Sequence, residues 1–257
     1  VLNHKIGADE AETVYASEEE DQDRNVDTTL PTKIKAWTKY SFAKRNNKYS
    51  DFKWNYKHFN GTDWDESGRK NGIFRFSGKH WDKSVDKENG NYDYLMGADI
   101  DFNNPEVVEE LNKWGKWYLD FTRVDSFRLD AVKHIKSGFM ADWIRNMKEI
   151  RPNLQCVGEY WNRNIETLKE YIDNTNSTIP LFDVPLHYNF YEAANSNGNY
   201  DLARIFENTI VKEMPNLAVT FVDNHDTEPG QALFSFIPDW FKPLAYALIL
   251  LRKGGLP

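Results

Sequence analysis

The sequence has 257 residues, of which 40% are apolar, and this is enough to fill the core of one large domain or two smaller ones. Its formal net charge of -8 at pH 7 disfavours a nucleic-acid or anionic-membrane partner and favours a neutral polymer as substrate. Cys156 is the single cysteine, which excludes an internal disulfide, and no Cys/His spacing matches a zinc site. The apolar stretch at residues 244–251 is about a third of the ~20 residues that a membrane helix needs.

Both ends of the sequence are typical of a truncated chain. Residues 1–4 read as the end of a strand, without an initiator Met or a signal-peptide pattern, and residues 252–257 stop just after a helix C-cap glycine. We therefore expect a fragment of a longer protein, which would aggregate and be inactive when expressed alone, because its parallel sheet would have open edges.

The first part of the chain, residues 5–97, is polar and has no long helical periodicity, which predicts an irregular subdomain of strands and loops. The character changes after residue 100. Asn104 as N-cap and Pro105 at the first helical position predict a helix. Its apolar positions have helical spacing: Val107, Leu111, Trp114, Tyr118 and Phe121.

Strands and helices then alternate along the chain. We predict strands near residues 124–130, 155–159, 179–184 and 217–222, and helices near residues 141–150, 165–172, 202–213 and 243–251. This alternation indicates parallel strands with right-handed crossovers, in either a doubly wound sheet or a β/α barrel. No glycine-rich phosphate loop follows any strand, so the barrel is favoured.

Three acidic residues lie where predicted strands end: Asp130, Glu159 and Asp226. The first two are separated by about one β/α unit and the third follows after about two more. In a barrel this spacing places all three at the C-terminal mouth, where enzymes of this fold keep their active sites.

The residue types around these acids suit glycoside hydrolysis. Arg128 and Asp130 share a strand face, so the guanidinium would keep Asp130 ionised as a nucleophile, although a purely structural pair remains open. Glu159 precedes two aromatic residues and would face like charges, which raises its pKa and suits a proton donor. Such a pair is what a retaining glycosidase needs. Asp226 would stabilise the transition state, or else cap a loop.

Several segments resemble the α-amylase family, glycoside hydrolase family 13. Residues 125–134 (DSFRLDAVKH), 157–161 (VGEYW) and 221–226 (FVDNHD) resemble three consecutive signature blocks, and residues 1–4 resemble the end of a fourth. Residues 88–96 and 227–231 resemble the liquefying bacterial branch. The resemblance implies an α/β fold, an incomplete (β/α)8 TIM barrel with an irregular β-rich subdomain inserted after strand 3. Its parts would be residues 1–4 (end of strand 3), 5–99 (inserted calcium-binding subdomain) and 100–257 (strands 4 to 7 with their helices).

The resemblance also implies residue roles. Asp130 would be the nucleophile, Glu159 the acid/base and Asp226 the transition-state stabiliser. Substrate would be bound by His4, Arg128, Lys133, His134, Trp161 and His225. The implied protein is secreted, monomeric when full length, and hydrolyses internal α-1,4 bonds of starch-like glucans. The alternatives are a maltooligosaccharide-forming amylase, a transglycosylase, and a non-catalytic glucan-binding relative.

Oxygen-rich side chains cluster at Asp82, Asp93, Asp99, Asp101 and Asn103, and such oxygens are the ligands of calcium. An EF-hand loop is excluded, because its sixth position would be Asn104 instead of glycine. The resemblance implies one calcium between the subdomain and the barrel. Its ligands would be Asn3, Asp93, Asp99 and the backbone carbonyl of His134, with Asp82 and Asp101 nearby.

Two asparagines weaken the case for further cations. Asn60 and Asn103 stand where the liquefying branch usually has aspartate. The loss of two negative charges predicts that a second calcium or a sodium binds weakly or not at all. The family usually has glycine at the position of Ser126, and we expect no loss of catalysis from this difference.

Overall fold

The computed structural model describes residues 4–46 and 48–257, so the predicted ligand Asn3 lies outside the described residues. The chain forms two compact units. The first contains residues up to Asp125 together with Ala131–Leu154, and the second contains Ser126–Asp130 and Gln155–Pro257. The predicted boundary between residues 99 and 100 stays a prediction.

The first unit contains an antiparallel sheet of six strands: β1 (His4–Lys5), β2 (Glu10–Glu19), β3 (Thr32–Lys39), β4 (Phe59–Asp65), β5 (Lys70–Phe76) and β6 (Ala98–Ile100). Their order across the sheet is β1-β6-β4-β5-β2-β3. In β3 the side chains of Ile34, Ala36 and Thr38 are buried while their neighbours are exposed, which is the two-residue alternation of a sheet with one covered face. The segment predicted to consist of strands and loops therefore contains an antiparallel sheet, whose register shifts in three of its strand pairs.

Two helices complete the first unit, α1 (Pro105–Thr122) and α2 (Ser137–Ile150). The predicted start of α1 is confirmed, because the Asn104 side chain accepts a hydrogen bond from the backbone N–H of Glu106. The helices pack closely at Gly115, where an added Cβ would lie 2.6 Å from the sulfur of Met147 and 2.7 Å from the ring of Trp143. Glycine is needed there so that the two helices can approach.

The second unit contains a parallel sheet of four strands: β7 (Ser126–Leu129), β8 (Gln155–Gly158), β9 (Leu181–Phe182) and β10 (Ala218–Val219). The order β10-β9-β8-β7 places consecutive strands side by side, as the barrel prediction requires, and within the described residues the sheet is open. Leu256 forms a parallel bridge with Val219 at the β10 edge. The helices of this unit are α3 (Ile165–Asn174), α4 (Val184–Asn195), α5 (Ile210–Glu213) and α6 (Lys242–Leu251).

One predicted helix is wrong. Residues 202–213 form a single 3-10 turn at Leu202–Arg204 and the short helix α5, because Asn208 between them adopts a left-handed backbone with φ of 55°. The structure instead has α4, which no sequence prediction included. Asp183 caps α4 by accepting from the N–H of Leu186, and the same carboxylate accepts from the N–H groups of Ile210 and Val211 in α5.

Across the described part of the chain, none of the helices combines the length and the apolar character needed to cross a membrane.

Candidate active site

The first two predicted acids directly follow neighbouring strands of the parallel sheet. Asp130 follows β7 and Glu159 follows β8, and the register pairs Leu129 with Gly158 at the ends of these strands. The N–H of Glu159 donates to the carbonyl of Leu129 at 2.9 Å, so the backbone hydrogen bonds between the two strands continue as far as Glu159. Parallel pairing thus brings two residues that are 29 positions apart to adjacent places at the C-terminal edge.

Arg128 connects the two carboxylates. One guanidinium nitrogen lies 2.9 Å from a carboxylate oxygen of Glu159 and 3.6 Å from one of Asp130. The guanidinium also lies over the ring of Phe182 in β9, 5.6 Å from its centroid. The shared face of Arg128 and Asp130 is confirmed, but the shorter ion pair is the one with Glu159.

Glu159 and Asp130 have different environments. The side chain of Glu159 is 9% exposed, whereas that of Asp130 is 47% exposed. Burial raises the pKa of Glu159, Arg128 lowers it through charge and a hydrogen bond, and the neighbouring Asp130 raises it again. The net direction is upward, as predicted. A buried acid with a raised pKa beside a more exposed carboxylate is the division of roles that general acid and nucleophile require.

Asp226 lies in the loop that follows β10. Its carboxylate is 3.2 Å from Nε2 of His225, and its backbone N–H donates to the side chain of Asn224 at 3.0 Å. The structure therefore pairs Asp226 with His225, and it pairs Asp130 and Glu159 with Arg128.

Trp161 lies two residues after Glu159 and belongs to an aromatic cluster. Its indole N–H donates to the hydroxyl of Tyr188 at 3.1 Å, and its ring lies near those of His187 and Phe221. No sequence pattern indicates Tyr188 or His187 as site residues, and both lie on helix α4, which was not predicted.

The remaining predicted substrate-binding residues belong to the first unit. Lys133 and His134 are buried, and the ammonium of Lys133 lies 2.7 Å from the carboxylate of Glu88. Burial lowers the pKa of His134 to about 3, so this imidazole is neutral at physiological pH. His4 pairs with Asp99 between β1 and β6.

The predicted calcium ligands Asp93 and Asp99 form a buried acidic pair. Both are almost fully buried, and the amide of Asn60 donates to Asp99 at 3.0 Å and to Asp93 at 3.5 Å. Burial raises the pKa of both carboxyls, and their proximity adds to this in Asp99. One oxygen of Asp99 is buried without a hydrogen-bond partner among the described residues. Such an oxygen is what a bound cation would satisfy.

The two other predicted acids of this cluster have nitrogen partners. Asp82 accepts from the amide of Asn103 at 3.1 Å, and Asp101 lies 2.5 Å from the ammonium of Lys79. Lys136 lies 3.9 Å from Asp82. Within residues 4–46 and 48–257, no three His, Cys, Asp or Glu side chains are arranged to hold a metal ion. A cation here would need amide or backbone oxygens besides the pair Asp93 and Asp99.

Comparison with known proteins identifies one family. Residues 32–238 match the family model described as alpha amylase, catalytic domain. This segment contains Asp130, Glu159, Asp226 and the acidic cluster around Asp93 and Asp99.

Several curated relatives match the whole chain, and two of them illustrate the range of activities. The chain is 54% identical over 260 residues to an alpha-amylase of Geobacillus stearothermophilus, covering 47% of that protein. It is 51% identical over 261 residues to a glucan 1,4-alpha-maltohexaosidase of Bacillus sp. (strain 707), covering 50% of it. The chain thus spans about half the length of these relatives. In fold it is similar to the crystal structure of an alpha-amylase from Geobacillus thermoleovorans, with a TM-score of 0.52 and 23% identity over 64% of this chain and 38% of that one.

Proposed function

The chain belongs to the α-amylase family, and from that premise we propose that it carries the catalytic centre of an enzyme that hydrolyses internal α-1,4 bonds of starch-like glucans with retention of anomeric configuration. The observation that supports this best is the contact of Asp130 and Glu159 with one guanidinium nitrogen of Arg128. Two carboxyl groups so close together suit the retaining mechanism, whereas an inverting enzyme needs room for a water molecule between them.

In the first step, the Asp130 carboxylate attacks the anomeric carbon and forms a glycosyl ester, while the bond from that carbon to the leaving oxygen breaks. Protonated Glu159 gives its proton to the leaving oxygen, so the departing sugar leaves with a neutral hydroxyl group. Burial of Glu159 favours the protonated form that this step requires.

In the second step, the Glu159 carboxylate takes a proton from water, and the water oxygen attacks the anomeric carbon and displaces Asp130. The centre is inverted twice, so its configuration is retained. Arg128 holds both carboxyls in place throughout. Asp226 supplies negative charge as the sugar ring becomes oxocarbenium-like.

A second candidate within the family is release of short maltooligosaccharides of fixed length. It is supported by the 51% identical relative, which is named a glucan 1,4-alpha-maltohexaosidase. Both activities would use the same three acids, and the product distribution would separate them.

The test is hydrolysis of soluble starch by the complete protein, with the anomeric configuration of new ends followed by NMR. We expect α-configured products of mixed length from wild type. Asp130→Asn and Glu159→Gln should each lower kcat by at least about 1,000-fold. Products of β configuration, or normal turnover by Asp130→Asn, would refute the mechanism.

We also propose one calcium site, with Asp93, Asp99 and the backbone carbonyl of His134 as ligands and Asn3 as the fourth. The support is the buried acidic pair and the unpaired oxygen of Asp99. Calcium would there neutralise two carboxylates that burial otherwise disfavours.

Titration calorimetry with calcium on the complete protein tests this site. Wild type should bind one ion tightly and gain thermal stability from it. Asp99→Asn should abolish both effects, whereas Asp9→Asn, at an exposed carboxylate of the same unit, should leave them unchanged. Equal calcium affinity in wild type and Asp99→Asn would rule the site out.

We further propose that the antiparallel sheet is the subdomain inserted after the third strand of the barrel, and that β7 to β10 are its strands 4 to 7. The support is chain order, since β1 to β6 precede α1 and β7, and the parallel sheet then continues in sequence order. A structure of the complete protein in which β7 is not the fourth barrel strand would contradict this.

A further inference from the structure

His187 on α4 forms hydrogen bonds at both ends of the loop that carries Asp226. The side chain is fully buried. Its Nδ1 lies 2.6 Å from the carbonyl oxygen of Val222, and its Nε2 lies 2.7 Å from the hydroxyl of Ser235. Val222 lies just before the loop and Ser235 ends it, so a single imidazole connects the start of the loop to its end.

The loop between these two anchor points is held in a defined conformation. The backbone N–H of Leu233 donates to the carbonyl of Asp226 at 3.2 Å, and that of Ser235 donates to Thr227 at 3.1 Å. Asn224 accepts from the N–H of Asp226 at 3.0 Å. Asp226 is therefore placed by a closed set of hydrogen bonds, and His187 supplies the link to α4.

The same ring also contacts the segment that follows Glu159. His187 stacks on Phe221, with an interplanar angle of 7° and 5.2 Å between centroids. The ring of Trp161, two residues after Glu159, lies 5.8 Å away. His187 thus touches the segments that hold two of the three acids, although it lies too deep to meet substrate itself.

The partners of His187 define its tautomer. A carbonyl oxygen can only accept, so Nδ1 carries the proton that is donated to Val222. Burial lowers the pKa of His187, and this outweighs the hydrogen bond to Val222 and the charge of Asp223, which raise it; the charge of Arg163 adds a smaller lowering effect, so the ring is neutral at physiological pH. Its Nε2 is then an acceptor. The oxygen of the Ser235 hydroxyl lies 2.7 Å from Nε2 and 2.8 Å from the carbonyl oxygen of Leu233, so its single proton is shared between these two acceptors.

We propose that His187 is a positioning residue for glycosyl transfer, which holds the Asp226 loop in its working geometry through Val222 and Ser235. This inference rests on the proposed function. Because Asp226 acts on the transition state, a displaced loop lowers the rate of the chemical step more than it weakens glucan binding.

The test is a set of variants in the complete protein, assayed with a chromogenic maltoheptaoside. His187→Phe keeps a ring on Phe221 and removes both hydrogen bonds. We expect kcat to fall about 100-fold with KM within about threefold of wild type. His187→Asn, whose amide can still donate to the Val222 carbonyl, should recover part of the loss.

Two further variants separate positioning from stability. Ser235→Ala removes one of the two bonds without disturbing the ring and should give a smaller kcat loss, which is not additive with His187→Phe. Thr175→Val is the control, since Thr175 is equally buried in this unit and its hydroxyl bonds only to carbonyls of α3. It should lower the melting temperature and leave kcat unchanged.

The outcomes are distinct. The positioning role is overturned if kcat of His187→Phe and of Ser235→Ala is no lower than that of Thr175→Val. It is also overturned if these variants change only KM. Nitrogen-15 NMR should show the Nδ1-protonated tautomer in wild type, and the Nε2 tautomer overturns the hydrogen-bond assignment. If wild type hydrolyses no glucan, the proposed function fails. In that case the effect of His187 on the loop conformation is tested by the amide resonances of residues 223–234, which should shift in His187→Phe and not in Thr175→Val.

Discussion

Replacing Arg128 by methionine tests how the guanidinium controls the two carboxyl groups. The substitution keeps the length and apolar stem of the side chain and removes the charge. In the wild-type protein, Arg128 forms a charge-assisted hydrogen bond of 2.9 Å with Glu159, whose side chain is 9% exposed. The 3.6 Å contact of Arg128 with half-exposed Asp130 contributes little. Without the guanidinium the Glu159 carboxyl is no longer held beside Asp130, and we expect this mispositioning to lower kcat/KM by about 30- to 150-fold, or about 2–3 kcal/mol of transition-state stabilisation.

The pH profile gives a second readout of the same change. In the proposed mechanism Glu159 must be protonated to donate to the leaving oxygen, so we expect kcat/KM to fall as the pH rises through the pKa of Glu159 in the free enzyme. Arg128 lowers that pKa against the raising effect of burial. Its removal raises the pKa of Glu159, so the alkaline limb of the profile should move to higher pH.

The assay is kcat/KM on a maltooligosaccharide across the pH range, for wild type, Arg128→Met and Arg128→Lys. The lysine variant keeps the positive charge without the planar fork, so its alkaline limb should move less than that of the methionine variant. An alkaline limb in Arg128→Met that stays in place or moves to lower pH would refute the electrostatic reasoning. A kcat/KM within threefold of wild type would refute the contact with Glu159.

Three further predictions concern the scaffold and the acidic cluster. Gly115→Ala should destabilise the protein by about 1–2 kcal/mol, because the cost of overpacking against Met147 and Trp143 exceeds the ~1 kcal/mol gain in helix propensity. Calorimetry should show a lower melting temperature, and a higher melting temperature would contradict the close packing at Gly115. Asp183→Ala should cost about 3–5 kcal/mol in urea denaturation, since three buried N–H groups lose their acceptor, whereas a loss below 1 kcal/mol would show that water replaces it. Asn60→Asp should raise the calcium stoichiometry or affinity measured by calorimetry, because it adds a carboxylate to a buried acidic pair; unchanged binding would show that Asn60 does not limit cation binding.

The parallel part of the fold was predictable because each strand and most helices have strong local signals. Asn104 and Pro105 marked the start of α1, and the short apolar strands before Asp130 and Glu159 were correctly placed to within two residues. Helix α4 was missed although its start has a local signal, since Asp183 accepts from the N–H of Leu186 and Pro185 lies in the first turn. The prediction of a strand over residues 179–184 overlapped this start. Residues 202–213 were assigned as one helix because their composition favours it, and the left-handed backbone at Asn208 gave no periodic signal.

The sequence predicted which residues form the candidate active site, but it did not predict which side chains contact one another there. The two-residue strand period placed Arg128 beside Asp130, but only the register of β7 against β8 shows that its shorter contact is with Glu159. The hydrogen bonds of His187 could not be predicted, since they join a helix to a loop about 35–48 residues later. Likewise, no local pattern indicates that Asn60 lies between Asp93 and Asp99.

The proposed mechanism requires that Asp130 becomes covalently attached to the sugar. The most direct measurement is mass spectrometry of the complete protein after incubation with a 5-fluoro-α-glucosyl fluoride, which slows release of the glycosyl ester, followed by peptide mapping. We expect one added glycosyl group, on the peptide that contains Asp130, and none in Asp130→Asn. Attachment at Glu159, or an active enzyme that never carries the label, would contradict it.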